Sequence, residues 1–163
     1  LLRALWEEGR FLLSGCPAVL RHLSTVLIIE THLFMDKYLI IKTRDELLRI
    51  RIGQILYFEA DRNYTKLLLS SGIQFTFAIN IGKIEEILSK QVKGCDKILM
   101  RVGKSHIINK EHILQINLPK QRLLLLTEEG KPKELIISKD PLKILKDTLE
   151  KEMEALIENK EEE

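Results

Sequence analysis

The sequence predicts a mostly β fold with minor α content, in which many short strands accompany one short internal helix and one C-terminal helix. Short apolar or alternating segments, separated by turn residues, follow one another between residues 38 and 138, as β-strands do. Only two segments show the three-four apolar spacing of an amphipathic helix. Because the strands come in runs and do not alternate with helices, a doubly wound parallel sheet is excluded.

Five strands are expected before the internal helix. Leu47–Ile52 alternates apolar with basic residues, as a half-buried strand does, whereas Ile55–Ala60 is a denser apolar run and should be more buried. The Asp61-Arg62-Asn63 segment is predicted to be a turn, because Asp and Asn readily bond their own backbone. The strands are placed at Tyr38–Lys42, Leu47–Ile52, Ile55–Ala60, Tyr64–Ser70 and Ile73–Ile79, with the last two joined around Ser71-Gly72.

The internal helix is predicted over Ile81–Gln91, with Asn80 as its N-cap. Its buried face is expected to contain Ile81, Ile84, Ile87 and Leu88. Further strands are expected at Ile98–Val102, His106–Ile108, Ile113–Leu118, Arg122–Leu126 and Glu134–Ser138, with a loop at Glu128–Pro132 joining the last two.

The C-terminal helix is predicted to open at Asp140-Pro141, with Asp at the cap and Pro at the first helical position. Leu142, Leu145 and Leu149 form its inner face. It should fray near Asn159, and residues 161–163 should be disordered. Leucines recur every seven residues at 142, 149 and 156, but two heptads give little support for a coiled-coil dimer.

The charge distribution divides the chain into three parts. Residues 1–34 carry three basic and three acidic side chains, residues 35–150 carry 21 and 15, and residues 151–163 carry two and six. We therefore expect an N-terminal extension over 1–34, one basic domain over 35–150, and an acidic helix end with a disordered tail over 151–163. The basic domain fits a polyanionic partner, although a charge excess of this size is also common on solvated surfaces.

The first 34 residues show no regular apolar period, and the first methionine is Met35. Leu13-Ser14-Gly15-Cys16 resembles a lipoprotein cleavage box, but charged residues interrupt the apolar segment that a signal peptide needs before it. We favour the hypothesis that Met35 is the natural start and that residues 1–34 are upstream sequence. No stretch is long and apolar enough for a membrane span, so a cytoplasmic protein is expected.

No motif predicts an enzyme, a metal site or another cofactor. The chain contains neither a glycine-rich phosphate loop nor a Gly-x-Ser-x-Gly elbow. Glu59 and Asp61 are close in sequence, but they are more simply a strand-end acid and a turn former than a catalytic pair. The two cysteines (Cys16 and Cys95) and the four histidines (His22, His32, His106 and His112) match no metal-ligand or redox spacing.

Two segments resemble the LytTR family of bacterial DNA-binding domains. Ile55–Tyr64 reads I-L-Y-F-E-A-D-R-N-Y, similar to the family pattern I-x-Y-I-E-A-x-x-N-Y. Arg101–Asn109 reads R-V-G-K-S-H-I-I-N, similar to R-V-H-[RK]-S-[YFH]-I-V-N. Their order, their spacing around a short helix and the terminal helix together extend the resemblance over residues 36–150.

The resemblance implies an elongated domain of antiparallel strands whose loops enter successive major grooves of double-stranded DNA at promoter direct repeats, without a helix reading the groove. It implies transcription regulation, in the manner of a response regulator, by two copies of the domain on DNA. No membrane or small-molecule partner is expected. Many relatives carry a receiver domain in front, which 34 residues cannot form.

The DNA-contacting positions implied by the resemblance are Arg62, Asn63, Thr65 and Lys66 in a first region, Lys104 and Ser105 in a second, and Lys139 before the last helix. Lys can donate to guanine or neutralise a phosphate, whereas Ser and backbone N–H groups suit phosphate oxygens. Asn109 is predicted to be structural, closing the turn before Lys110. The family's histidine is replaced by Gly103, which removes a side-chain donor and adds backbone freedom.

The alternative function is a protein-interaction module that uses the same fold without contacting DNA. Convergence of the cations at positions 62, 66, 104 and 139 on one surface would favour DNA, whereas scattering would favour a protein partner. An enzyme is the third reading, and it would need a convergent polar pocket.

Overall fold

The computed structural model describes residues 37–161, and these form ten strands and two helices. The strands β1 to β10 are Tyr38–Lys42, Leu47–Arg51, Ile55–Asp61, Tyr64–Leu69, Gln74–Phe77, Leu99–Val102, His106–Asn109, Ile113–Asn117, Arg122–Leu126 and Pro132–Ile136; the helices α1 and α2 are Ile81–Gln91 and Lys139–Glu161. The predicted extension over 1–34, the predicted natural start at Met35 and the predicted disorder at residues 162–163 lie outside the described residues. Glu161, which was also expected to be disordered, is the last residue of α2.

The strands form three antiparallel sheets. β1 and β2 form a hairpin, β3 to β7 form a five-stranded sheet in the order β5-β4-β3-β7-β6, and β8 to β10 form a three-stranded sheet. The mostly β fold that the sequence predicts is therefore confirmed. None of the helices between residues 37 and 161 is long and apolar enough to cross a membrane.

Strand β3 is the centre of the domain, because its residues Ile55–Phe58 are all at most 6% exposed. Successive strand residues point to opposite faces, so both faces of the five-stranded sheet are covered at this strand. The helix α1 packs against β1, β3 and β7. A second cluster joins β3, β6 and β7 to the three-stranded sheet and to the buried Leu142 and Leu145 of α2.

The internal helix begins and ends where the sequence predicts. The Asn80 side chain accepts a hydrogen bond from the Lys83 backbone N–H at 2.8 Å, which caps the first turn of α1. Ile81, Ile84 and Leu88 are buried. The last residue, Gln91, then bonds both backbone groups of Ile40 in β1, at 2.8 Å each, so α1 holds the edge of the hairpin.

Several boundaries differ from the sequence-based expectations. Ile52 leaves β2 and begins a short 3₁₀ helix that leads into β3. β10 starts at Pro132, two residues earlier than predicted, because an edge strand tolerates the missing proline N–H. α2 begins at Lys139, so Asp140 lies within the first turn and is not the cap; Pro141 is still tolerated because the first four N–H groups have no helical partner. α2 also continues to Glu161, beyond the predicted fraying at Asn159.

Asn109 joins three parts of the core and is fully buried. Its Nδ2 donates to the Ile55 carbonyl at 2.8 Å, and its Oδ1 accepts from the Glu111 N–H at 3.0 Å. The predicted structural role of Asn109 in closing this turn is confirmed. The bond to Ile55 adds a link to the start of β3 that local sequence could not predict.

Asn109→Ala should lower the free energy of unfolding by about 2–4 kcal/mol, because it leaves one buried carbonyl and one backbone N–H without their partner. Urea unfolding followed by circular dichroism measures this change. Asn159→Ala, at an exposed position of α2, is the matched control and should have little effect. Equal stabilities of the two variants would contradict the role assigned to Asn109.

Candidate nucleic-acid interface

One end of the five-stranded sheet brings together two of the predicted contact regions. β3 joins β4 through Asp61–Tyr64, which we call the first loop, and β6 joins β7 through Gly103–Ser105, the second loop. The Ala60 N–H donates to the Ser105 carbonyl at 2.7 Å. The two loops are therefore neighbours, although about forty residues separate them in the sequence.

The first loop turns tightly at Arg62, whose φ of 57° lies in the left-handed region. A residue with a side chain adopts this conformation at a cost of about 1 kcal/mol. Arg62 and Asn63 are both exposed, as is half of the Tyr64 side chain (51%). The loop thus presents a guanidinium, an amide and a phenol to solvent.

Thr65 follows the first loop but does not reach the surface. It is fully buried, and its Oγ1 donates to the Ile79 carbonyl at 2.6 Å. The side chain therefore ties β4 to the segment that precedes α1. The structure thus places Thr65 apart from the other predicted contacts, and we omit it from the DNA-contacting set below.

Lys66 forms an ion pair with Asp61, with Nζ and Oδ2 2.8 Å apart. The hydrogen bond and the charge of Lys66 lower the pKa of Asp61, and the same contact raises the pKa of Lys66. Such a surface pair contributes little stability. Lys66 keeps its charge and is 38% exposed, so a phosphate could compete with Asp61 for it.

Arg101 holds the backbone of the second loop. Its Nε and Nη2 donate to the carbonyls of Gly103 and Lys104, at 3.2 and 2.8 Å, while Nη1 pairs with Glu85 of α1 at 2.7 Å. Sequence analysis gave Arg101 no role, because the contact with Glu85 depends on tertiary structure. With the carbonyls held, the side chains of Lys104 and Ser105 remain exposed.

Position 103 favours glycine for two reasons, its backbone conformation and the short distance to α2. Its φ is +66°, and a Cβ at this position would lie 3.2 Å from Cγ of Pro141 in the first turn of α2. A histidine, which the family pattern has here, would be strained in this backbone. Gly103 therefore adopts a left-handed conformation that other residues rarely adopt, and its lack of a side chain allows the second loop to approach α2.

The start of α2 supplies the third predicted region. A shallow pocket of about 160 Å³ lies between the second loop and residues 136–138, with Pro141 also in its wall. Lys139 is exposed next to this pocket. Within residues 37–161, neither Lys104 nor Lys139 forms an ion pair, so two unpaired ammonium groups flank the N-terminus of a helix, where the helix dipole also favours anions.

Residues 45–150 match the sequence family described as the LytTr DNA-binding domain. The chain belongs to the LytTR family. The fold is also similar to a solved structure of the LytTr DNA-binding domain of a protein described as a methyl-accepting/DNA response regulator from Bacillus cereus. That match has a TM-score of 0.50 and 20% identity, and it covers 70% of this chain and 97% of the other. None of the curated protein sequences matches this chain significantly.

The predicted family is thus confirmed, and the chain is a DNA-binding domain of the kind used in transcription regulation. The family is one of DNA-binding domains. The two acids considered for catalysis are explained by other contacts in this LytTR domain. Asp61 is paired with Lys66, and Glu59 faces His106.

A further basic turn of the LytTR domain was missed in the sequence. The turn between β8 and β9 contains the exposed Lys120, and the Ile137 N–H donates to the Gln121 carbonyl at 3.0 Å. This bond places the turn next to the junction between β10 and α2, close in sequence to Lys139. The proximity of Lys120 to the start of α2 depends on a backbone hydrogen bond between segments that are distant in sequence, so local sequence patterns could not predict it.

His106 begins β7 directly after the second loop. Burial lowers the pKa of His106 below its ordinary value of 6.5, and the charge of Glu59, whose Oε1 lies 4.0 Å from Nε2, partly opposes this effect. The ring also lies 6.4 Å from that of Tyr57, measured between centroids. His106 is therefore a neutral packing residue at pH 7 and adds no charge to the loop.

Acidification should destabilise the domain through His106. The unfolded chain, with an ordinary histidine pKa, binds a proton more readily than the folded chain, so the free energy of unfolding should fall as the pH drops below about 6.5. His106→Gln should reduce this slope. Urea unfolding of both proteins at several pH values between 7.5 and 5 measures it, and identical slopes would show that His106 titrates as in an unfolded peptide.

Proposed function

We propose that this LytTR domain binds double-stranded DNA sequence-specifically and regulates transcription, with its loops in successive major grooves at promoter direct repeats. The main observation in support is that the two loops and the start of α2 lie close together, with exposed cations at Arg62, Lys104 and Lys139. Such a regulator would work in the bacterial cytoplasm, with two copies of the domain on adjacent repeats.

The exposed residues suit distinct roles at DNA. Lys104 is positioned to donate to guanine O6 and N7 or to a phosphate, and Arg62 could do either. Asn63 can pair with adenine through its amide. Ser105, the N–H groups at the start of α2, and Lys66 fit phosphate oxygens, which fix register without reading sequence. Lys139 adds a cation at the third region.

A protein-interaction module remains the alternative. The convergence supports DNA, since three cations from separate segments lie around one end of the sheet, whereas protein interfaces are depleted in lysine. Lack of DNA retention even at low salt would favour this alternative.

The proposal is tested by selecting duplexes from a random library with the full chain, over a series of salt concentrations, and sequencing the retained DNA. An enriched repeat with a spacing of about one helical turn (10–10.5 bp) is the expected result. Retention without enrichment that collapses with salt would mean non-specific attraction only. Lack of retention at low salt would remove DNA as the ligand.

Lys104→Ala should weaken binding to the selected site by roughly 1–3 kcal/mol if Lys104 contacts a base. If it contacts only phosphate, affinity for all sequences should fall together, and the slope of log K against log salt should decrease by about one. Lys131→Ala is the matched control: Lys131 is exposed in the loop between β9 and β10, which bonds to Ser70 away from the first and second loops. Unchanged affinity and slope would exclude Lys104 from the interface.

A further inference from the structure

The turn between β8 and β9 lies at the same end of the three-stranded sheet as the start of α2. β9 and β10 are antiparallel, with Arg122 opposite Ile136. One residue further out, the Ile137 N–H donates to the Gln121 carbonyl at 3.0 Å. The turn is therefore fixed beside the segment that leads into Lys139.

The backbone of this turn is held by local contacts. The Lys120 N–H donates to Oδ1 of Asn117 at 3.1 Å, and the Gln121 N–H donates to the Leu118 carbonyl at 3.1 Å. Gln121 lies in the left-handed region, with a φ of 52°, and the ring of Pro119 restricts the preceding backbone. A ligand of Lys120 would thus bind to a turn that is already ordered, which lowers the entropy lost on binding.

A shallow polar pocket of about 170 Å³ lies next to the turn. Lys120 lines it together with Gln115, Asn117, Arg122 and Glu134. Arg122 and Glu134 form an ion pair, with Nε and Oε1 3.0 Å apart, so their formal charges cancel. Lys120 supplies the remaining positive charge, and the two side-chain amides are able to donate hydrogen bonds. The pocket therefore suits an anion with several acceptor oxygens.

This pocket adjoins the one between the second loop and α2. Arg122 lines the first pocket and Ile136 lines the second, and the two residues are directly opposite each other on β9 and β10. Opposite residues of an antiparallel pair point to the same face of a sheet. One surface therefore runs from Lys104 past the start of α2 to Lys120.

The three lysines of this surface share the same electrostatic state. Lys104, Lys139 and Lys120 are all exposed, and none of them forms an ion pair within the part of the chain that the structure describes. They come from three segments that only the tertiary structure brings together. A polyanion that contacts Lys104 and Lys139 would thus find a further cation at Lys120.

We propose that Lys120 binds a phosphate of the DNA backbone, as a further contact of this domain. The inference rests on the proposed DNA binding and extends it to the turn between β8 and β9. Lysine is a compact charge on a flexible stem, which suits phosphate without the fixed geometry that a base edge requires. The contact should therefore add affinity and fix register, and it should not read sequence.

The position of Lys120 distinguishes it from other exposed lysines of the same sheet. Lys131 is also exposed in a turn of this sheet, between β9 and β10, but that turn is at the opposite end. The Glu128 N–H there donates to the Ser70 carbonyl, away from the second loop and α2. The two lysines carry the same charge, so Lys131 is a matched control for the effect of net charge on DNA binding.

The first test measures the affinity of the full chain for the library-selected duplex and for an unrelated duplex, by fluorescence anisotropy over a series of salt concentrations. Lys120→Ala should weaken binding to both duplexes by the same factor, roughly threefold to tenfold near 0.1 M salt, and should lower the slope of log K against log salt by about one. Lys131→Ala should leave affinity and slope close to those of wild type, and Lys120→Arg should restore both. Circular dichroism checks that the variants fold.

The second test identifies the phosphate itself. Single phosphates of the selected duplex are replaced, one position at a time, by uncharged methylphosphonate. At one or more positions the replacement should weaken wild type and Lys131→Ala equally, while Lys120→Ala should be insensitive because its contact is already lost.

The outcomes separate this inference from the proposed function. Wild type that is not retained by DNA even at low salt would overturn both. Wild-type binding in which Lys120→Ala matches Lys131→Ala, or in which no phosphate is coupled to Lys120, would overturn this contact alone. A loss confined to the selected duplex, with an unchanged salt slope, would make Lys120 a base contact and overturn its assignment to phosphate.

Discussion

The position of every candidate contact depends on strand β3. Its neighbours β4 and β7 are both antiparallel to it, so both reverse direction at the same end of β3. This pairing alone brings Arg62 and Lys104 close together across some forty residues of sequence. The strand is held by burial on both faces, and Asn109 fixes its first residue, Ile55, to the turn after β7. The two loops therefore extend from a strand that is buried on both faces, which reduces the conformational entropy lost on binding.

The second loop shows how a small number of polar contacts prepare a surface. Arg101 takes up the carbonyls of Gly103 and Lys104, and Glu85 neutralises the guanidinium from the other side. These two carbonyl acceptors of the loop are thereby bonded within the protein, whereas the exposed Lys104 ammonium and Ser105 hydroxyl can donate hydrogen bonds to a ligand. A surface of donors is the one that suits phosphate oxygens and guanine acceptors. The same logic applies at the start of α2, where the backbone N–H groups have no helical partner.

Local signals in the sequence predicted those elements whose formation depends on near neighbours. Asn80 identified the start of α1, and the alternation of apolar residues identified most strands within two residues. The burial of Thr65 could not be predicted this way, because its hydrogen-bond partner, the Ile79 carbonyl, is brought close by the pairing of β4 with β5. Arg101 and Lys120 were missed for the same reason. In each case the chemistry of the side chain was visible, but its neighbours were set by strand pairing.

The length of α2 is the most informative departure from the sequence-based expectation. The sequence analysis predicted fraying near Asn159, yet the helix continues to Glu161. Lys146 pairs with Glu150 at 2.8 Å, and the nearly buried Lys110 pairs with Glu152 at 2.5 Å. Two ion pairs therefore stabilise the part of the helix that lies beyond the buried Leu142 and Leu145. The pair with Lys110 is the stronger constraint, because the Lys110 side chain is only 6% exposed and an unpaired charge there would be costly. An extended helix held in this way keeps the exposed side chains of Met153, Leu156 and Ile157 in a fixed direction, which a frayed end would not do.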